Sequence, residues 1–140
     1  MIRLKPLMLF LCASALLAGC TSSAERRQME SEELAAYTRH AGAPVDQIRS
    51  FRLIGWQPVS DRSILLEARL NEWYLVDVSG PCMGLPFAHA IGVENSMNAL
   101  QARFDNIIVE GQPCRIETIR PVDYKAAREE LKAARSAPES

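Results

Sequence analysis

The chain has 140 residues, 48% hydrophobic and 24% charged, with a formal net charge of −1. That composition describes one small globular domain and is too apolar for a disordered chain. Near neutrality, with no Lys/Arg run, it offers no electrostatic case for binding nucleic acid.

In chain order, the first segment reads as an address. In MIRLKPLMLFLCASALLAGC, Arg3 and Lys5 form a charged start, and Leu7 to Ala18 is an uncharged, largely apolar run of 12 residues. A bilayer span needs about 20 such residues, so the run fits a secretion signal rather than a membrane helix. It closes on Leu17-Ala18-Gly19-Cys20, which resembles the lipobox of bacterial lipoprotein precursors. The resemblance implies cleavage before Cys20, a diacylglycerol on its thiol, and an acyl chain such as palmitate on its new amino group. Several chains on one Cys hold a protein to a membrane durably, where a single chain would not. Thr21, where other Gram-negative lipoproteins can carry Asp, implies sorting to the outer membrane, facing the periplasm. Losing residues 1–19 removes Arg3, Lys5 and Cys12 and leaves 14 basic against 17 acidic side chains, a charge of −3.

Residues 20–30 then read as a lipidated polar tether, 31–134 as a single globular domain, and 135–140 as a frayed tail. AERRQMESEELAAYTRHAG favours a helix, with Gly42 and Pro44 as its stop. Its apolar stripe of Met29, Leu34, Ala36 and Tyr37 is weak, which predicts loose packing. Glu30, Glu32 and Glu33 oppose a membrane-surface role for this helix. Three runs, SFRLIGWQP, SILLEARL and EWYLVDV, are short, aromatic and aliphatic, and bounded by turn formers, which predicts a β-meander. GPCMGLPFAHAIG follows, with Pro86 suited to the first turn of a short helix and Gly92 to its end. SMNALQARF is ambiguous. Ile107 to Glu110 predicts a strand, Gly111-Gln112-Pro113 a turn, and Cys114 to Arg120 a second strand ended by Pro121. Asp123 caps a last helix, YKAAREELKAARS, with Tyr124, Ala127, Leu131 and Ala134 near one face. The expected fold is α+β: a small, mainly antiparallel sheet or partly closed barrel flanked by N- and C-terminal helices.

Two cysteines, Cys82 and Cys114, remain once Cys12 is removed and Cys20 lipidated, and outside the cytosol two such thiols normally pair. A Cys82–Cys114 disulfide is therefore the favoured reading. A nucleophilic Cys82 needs a partner His. His89 is seven residues on, about 10 Å along a helix, against a hydrogen-bond reach of about 3 Å. His40 is the other His of the exported chain, and none follows position 89. The spacings C-x6-H and C-x31-C match no compact zinc pattern, and no C-x-x-C is present for redox work. Asp61, Glu67, Asp77, Glu94, Asp105 and Glu117 are scattered acids that fit turn capping or solvation, with paired catalytic carboxylates as the sharper alternative. His89 reads as a partly buried, hydrogen-bonded residue. Trp56, Trp73 and Tyr74 read as core or sheet surface, or as a platform for a glycan or peptide. Gly80 and Gly84 do not make a phosphate loop.

Across Trp56, Tyr74 to Val78, Pro81, Cys82, Leu85, Ala88 and Ile91, and again across Phe104, Asp105, Ile107, Val109, Cys114, Ile116 and Ile119, the chain resembles a family of short secreted or lipid-anchored proteins from Gram-negative bacteria. That family is classed as a domain of unknown function. The resemblance spans about residues 50 to 122, agrees with a paired Cys82 and Cys114 and an envelope address, and implies no catalytic residue.

The expectation is an outer-membrane lipoprotein with no cofactor beyond the lipid on Cys20, no metal site and no catalytic residue. It would act as a non-enzymatic binding or accessory module with an envelope protein as possible partner. The alternative is a small periplasmic hydrolase or cell-wall-modifying enzyme that uses carboxylates. A third reading is a structural protein with an apolar face buried in an envelope complex.

Overall fold

A computed structural model describes residues 21–138. The signal, the lipobox and Cys20, and the last two residues of the expected tail, lie outside the described residues. Two helices flank a curled antiparallel sheet, a half-barrel. The elements are α1 (Thr21–Arg39), β1 (Gln47–Arg49), β2 (Gly55–Pro58), β3 (Ser63–Arg69), β4 (Glu72–Val78), a 3-10 turn (Leu85–Phe87), β5 (Ile91–Glu94), β6 (Ala99–Gln101), β7 (Asn106–Val109), β8 (Gln112–Val122) and α2 (Tyr124–Ser136). The main sheet has the order β2-β3-β4-β8-β7-β5, and β1 pairs with β6 apart from it.

β3 and β4 form where the short apolar runs between turn formers predict them, and both faces of the pair are used. Ile64, Leu66, Ala68, Val76 and Val78 point into the curl with Ile116, Ile119, Leu100 and Ile107. Leu65, Leu75 and Val122 point out, where Ala36 and Tyr37 of α1 and Ala127 and Leu131 of α2 cover them. Ile116 and Ile119 are three apart yet both face inward, because Asp77 pairs with Thr118 while Val78 pairs with Ile116. Glu117 is the extra residue of this bulge and is exposed.

The polar residues 22–29 are exposed and form the first turns of α1, continuous with its packed half. Several expectations need correction. α1 does not pack loosely: Ala36 and Tyr37 are wholly buried. SFRLIGWQP is not one strand. Ser50 takes the left-handed region at φ 51° and separates β1 from β2. The 3-10 turn ends at Phe87, and Gly92 lies in β5 with Ile108 packed closely over it. The β7–β8 turn is Glu110-Gly111, both at positive φ, as a two-residue hairpin turn requires. Gln112 and Pro113 therefore belong to β8. Pro121 does not end that strand. It still pairs opposite Tyr74, and its carbonyl accepts from the Gly42 N–H at 2.7 Å, on a side where only the irregular segment 41–45 runs past. Asp123 caps α2 as expected, accepting from the Ala126 N–H at 2.9 Å.

Candidate functional site

Cys82 and Cys114 are joined in a disulfide, with Cα atoms 5.8 Å apart. The bond ties the loop after β4 to the start of β8. Cys82 is buried, and its N–H donates to the Asp61 carbonyl at 2.8 Å. A sulfur so committed is neither a nucleophile nor a metal ligand. His89 is exposed rather than partly buried. His40, at the end of α1, meets Glu130 of α2 at 2.6 Å.

The scattered acids are taken up by different neighbours. Glu67 accepts from the Asn71 N–H at 2.9 Å and closes the β3–β4 turn. Glu94 accepts from Asn106 across the β5–β7 pair at 2.7 Å. Asp105 is buried and accepts from the Gln101 N–H at 2.7 Å and the Ser96 hydroxyl at 3.0 Å. Asp77, on the outer sheet face, accepts from Ser63, Thr118 and Arg120 at 2.6, 2.9 and 3.0 Å. Among the described residues, no three His, Cys, Asp or Glu side chains gather in a way that could hold a metal ion. Trp73 is no open platform: its ring stacks on Tyr124 of α2 at 4.3 Å. Trp56 and Tyr74 pack against the inner core. The Tyr74 hydroxyl donates to Glu72, and burial followed by that carboxylate pushes it up to about 12.

The two helices lie antiparallel, clasped at both ends of their contact. Glu130 accepts from the Arg39 guanidinium and meets His40, and Arg135 donates to Glu33 at 2.9 Å. Arg39 first, then His40, holds the Glu130 carboxyl below its usual range. Tyr37 lies beneath. Its hydroxyl is buried and makes no hydrogen bond of good geometry, with the Arg128 guanidinium beside it. Burial pushes this phenol up, and the phenol in turn holds the Arg128 charge more firmly.

The outward side of α2 carries a feature that reading the sequence did not single out. Lys125, Arg128, Lys132 and Arg135 recur at i, i+3, i+7 and i+10, which places them on one helical stripe. They line a shallow groove of about 550 Å³ with Tyr124 and Asn71, and Glu129 is the acid within it. The spacing is present in YKAAREELKAARS, beside its apolar face. Chemically, such a stripe offers ionic and hydrogen-bonded capture of an anion, with Lys125 and Lys132 as its exposed ammonium groups and Arg135 shared with Glu33.

A family model, described as a family of unknown function (DUF6491), matches residues 3–138. No curated protein and no solved structure matches the chain.

Proposed function

The chain belongs to this family of unknown function, and from that premise we propose that it is a lipid-anchored accessory module of the bacterial envelope that binds its target rather than converting it. Anchoring rests on the sequence: the lipobox ending at Cys20 directly precedes the first described residue, Thr21. The observation that carries the binding role is the cationic stripe of α2 over its groove. The acids and histidines a hydrolase would use are instead engaged at turns, strand pairs and the helix clasp, or stand in solvent. The outer membrane facing the periplasm is the proposed site, and an anionic envelope component the proposed class of target.

Two experiments test the reading. Cys20→Ser removes the acceptor thiol. The anchor is refuted if the variant still takes up labelled palmitate and partitions with membranes as before. Lys125→Glu with Lys132→Glu reverses two charges of the stripe, both at exposed positions. In vivo crosslinking with mass spectrometry should recover a reproducible envelope target from the parent chain and lose it from this pair. No reproducible target, or one indifferent to the charge reversal, counts against the module.

A further inference from the structure

Arg26 lies five residues into α1, about 7.5 Å along the axis from Thr21. Its guanidinium carbon stands 5.5 Å from the centroid of the Phe87 ring. The start of α1 and the segment around the 3-10 turn therefore share one end of the molecule. Phe87 is 65% exposed there and Met83 78%. Two large apolar side chains stand in solvent on the same short segment.

The segment is built to hold them out. Leu85, between them, is fully buried and roots the segment in the inner core. Cys82 is bonded to Cys114, and its N–H is fixed on the Asp61 carbonyl. Gly84 sits at φ 84°, with the Glu110 carboxylate 3.3 Å from where a Cβ would stand, so the chain turns there in a way other residues rarely allow. With the backbone already fixed, covering these side chains costs their rotamer freedom but no further backbone entropy.

What covers it follows from where the described chain begins. Cys20 is one residue before Thr21, at most about 3.5 Å further on. On the reading of Cys20 as the lipid-bearing residue, on which this inference rests, the acyl chains are attached within about 11 Å, along the chain, of the residue touching Phe87. Interfacial apolar side chains bury themselves about 5 to 10 Å into the boundary between headgroups and acyl chains. We infer that Met83 and Phe87 form a second, non-covalent contact with the lipid surface beside the anchor. Neither sign predominates at this end: Arg26 and Arg27 neighbour Glu25 on α1, Glu110 lies beside Gly84, and Asp61 and Arg62 stand where the Cys82 N–H is held. The contact is thus apolar in origin and does not depend on anionic lipid.

Met97 supplies an internal reference. It is 93% exposed on a turn whose Asn98 carbonyl accepts from Phe51, near the end of β3 where Arg69 donates to the Arg49 carbonyl. Cys82 is held at the other end of β3, by Asp61, so the two methionines are separated by roughly a strand length of 20 Å. The purified, lipidated full chain is placed in phosphatidylethanolamine vesicles, with and without phosphatidylglycerol, and exposed briefly to peroxide. Oxidation of Met83 and Met97 is then read by peptide mass spectrometry. Exposed methionines oxidise at comparable rates, so lipid contact should lower the Met83-to-Met97 ratio at least about fivefold in both compositions. A ratio near one overturns the contact while leaving the anchor intact. Protection that vanishes on diluting protein in lipid indicates a second copy of the chain and also overturns it. A chain that carries no lipid on Cys20 defeats both this contact and the anchor it stands beside.

Discussion

Arg120 of β8 donates from Nη2 to Asp77 Oδ2 of β4 at 3.0 Å, on the outer face of the sheet. Asp77 also collects the Ser63 and Thr118 hydroxyls, while the Arg120 Nε is buried without a partner. Removing the carboxylate leaves a largely buried guanidinium with still fewer partners. Asp77→Ala should therefore cost about 2 kcal/mol, below the range for a fully buried pair because both side chains keep some solvent contact. The double variant Asp77→Leu with Arg120→Met should recover part of that loss, the remainder belonging to the Ser63 and Thr118 hydroxyls that lose their acceptor. Urea midpoints of the two variants decide it, and a double variant no more stable than the single would show that the pair is not the source of the cost.

The disulfide closes a loop with a sequence separation of 32. Chain entropy for that loop corresponds to about 3.5 kcal/mol, a large share of what a domain this size holds in reserve. Replacing both Cys82 and Cys114 with Ala should lower the unfolding free energy by roughly that amount without moving β3 or β4. Chemical denaturation of the oxidised parent against the double variant measures it; a difference under about 1 kcal/mol would contradict the entropic account.

Tyr37 fills the space between α1, α2 and the sheet, yet its hydroxyl makes no good hydrogen bond. Removing that hydroxyl costs no bond and relieves a buried polar atom. Tyr37→Phe should be neutral within about 1 kcal/mol or stabilising, and Tyr37→Ala should cost about 3 to 5 kcal/mol through the cavity it leaves. Thermal unfolding of both variants checks this. A large loss in the Phe variant would mean that the hydroxyl is engaged by Arg128 in solution.

Glu130 sets the acid limit of the helix clasp. Its carboxyl titrates below the ordinary value near 4.5 because Arg39, and then His40, donate to it in the folded chain. A folded value below the unfolded one contributes stability above the unfolded value and loses it as the pH falls through the folded one. Glu130→Gln should flatten the dependence of stability on pH between roughly 3 and 5. Denaturation midpoints across that window should show a steeper acid loss for the parent chain; parallel curves would remove Glu130 from the explanation.

Local signals carried much of the fold. Short apolar runs bounded by turn formers placed β3 and β4, an Asp before an amphipathic run placed the cap of α2, and thiol counting on the expectation of export placed Cys82 on Cys114. Non-local pairing was not legible. β1 and β6 are three residues each, 50 positions apart, and neither carries a pattern that names the other. α1 hid its role for a different reason. Its charged composition reads as solvated, and two residues, Ala36 and Tyr37, make its deep contact. Pro121 misled because the rule against Pro in strands concerns the missing donor, and here the carbonyl does the pairing. The stripe on α2 was visible in the spacing of four cations, but charge on an exposed helix face is so common that spacing alone does not distinguish a binding face.

β8 belongs to both halves of the sheet: its first residues pair with β7 and its later ones with β4. It also receives the disulfide and the bridges from residues 41 and 45. A chain delivered from its N-terminus thus has only the Leu65 and Leu75 part of the seat for α1, no second partner for β4 and no sulfur for Cys82 until about four fifths of it has emerged. Such long-range closure slows folding and leaves early strands open for longer. The isolated β2-β3-β4 meander, with its apolar residues on both faces, is accordingly the stretch that chaperones would have to shield while the rest arrives.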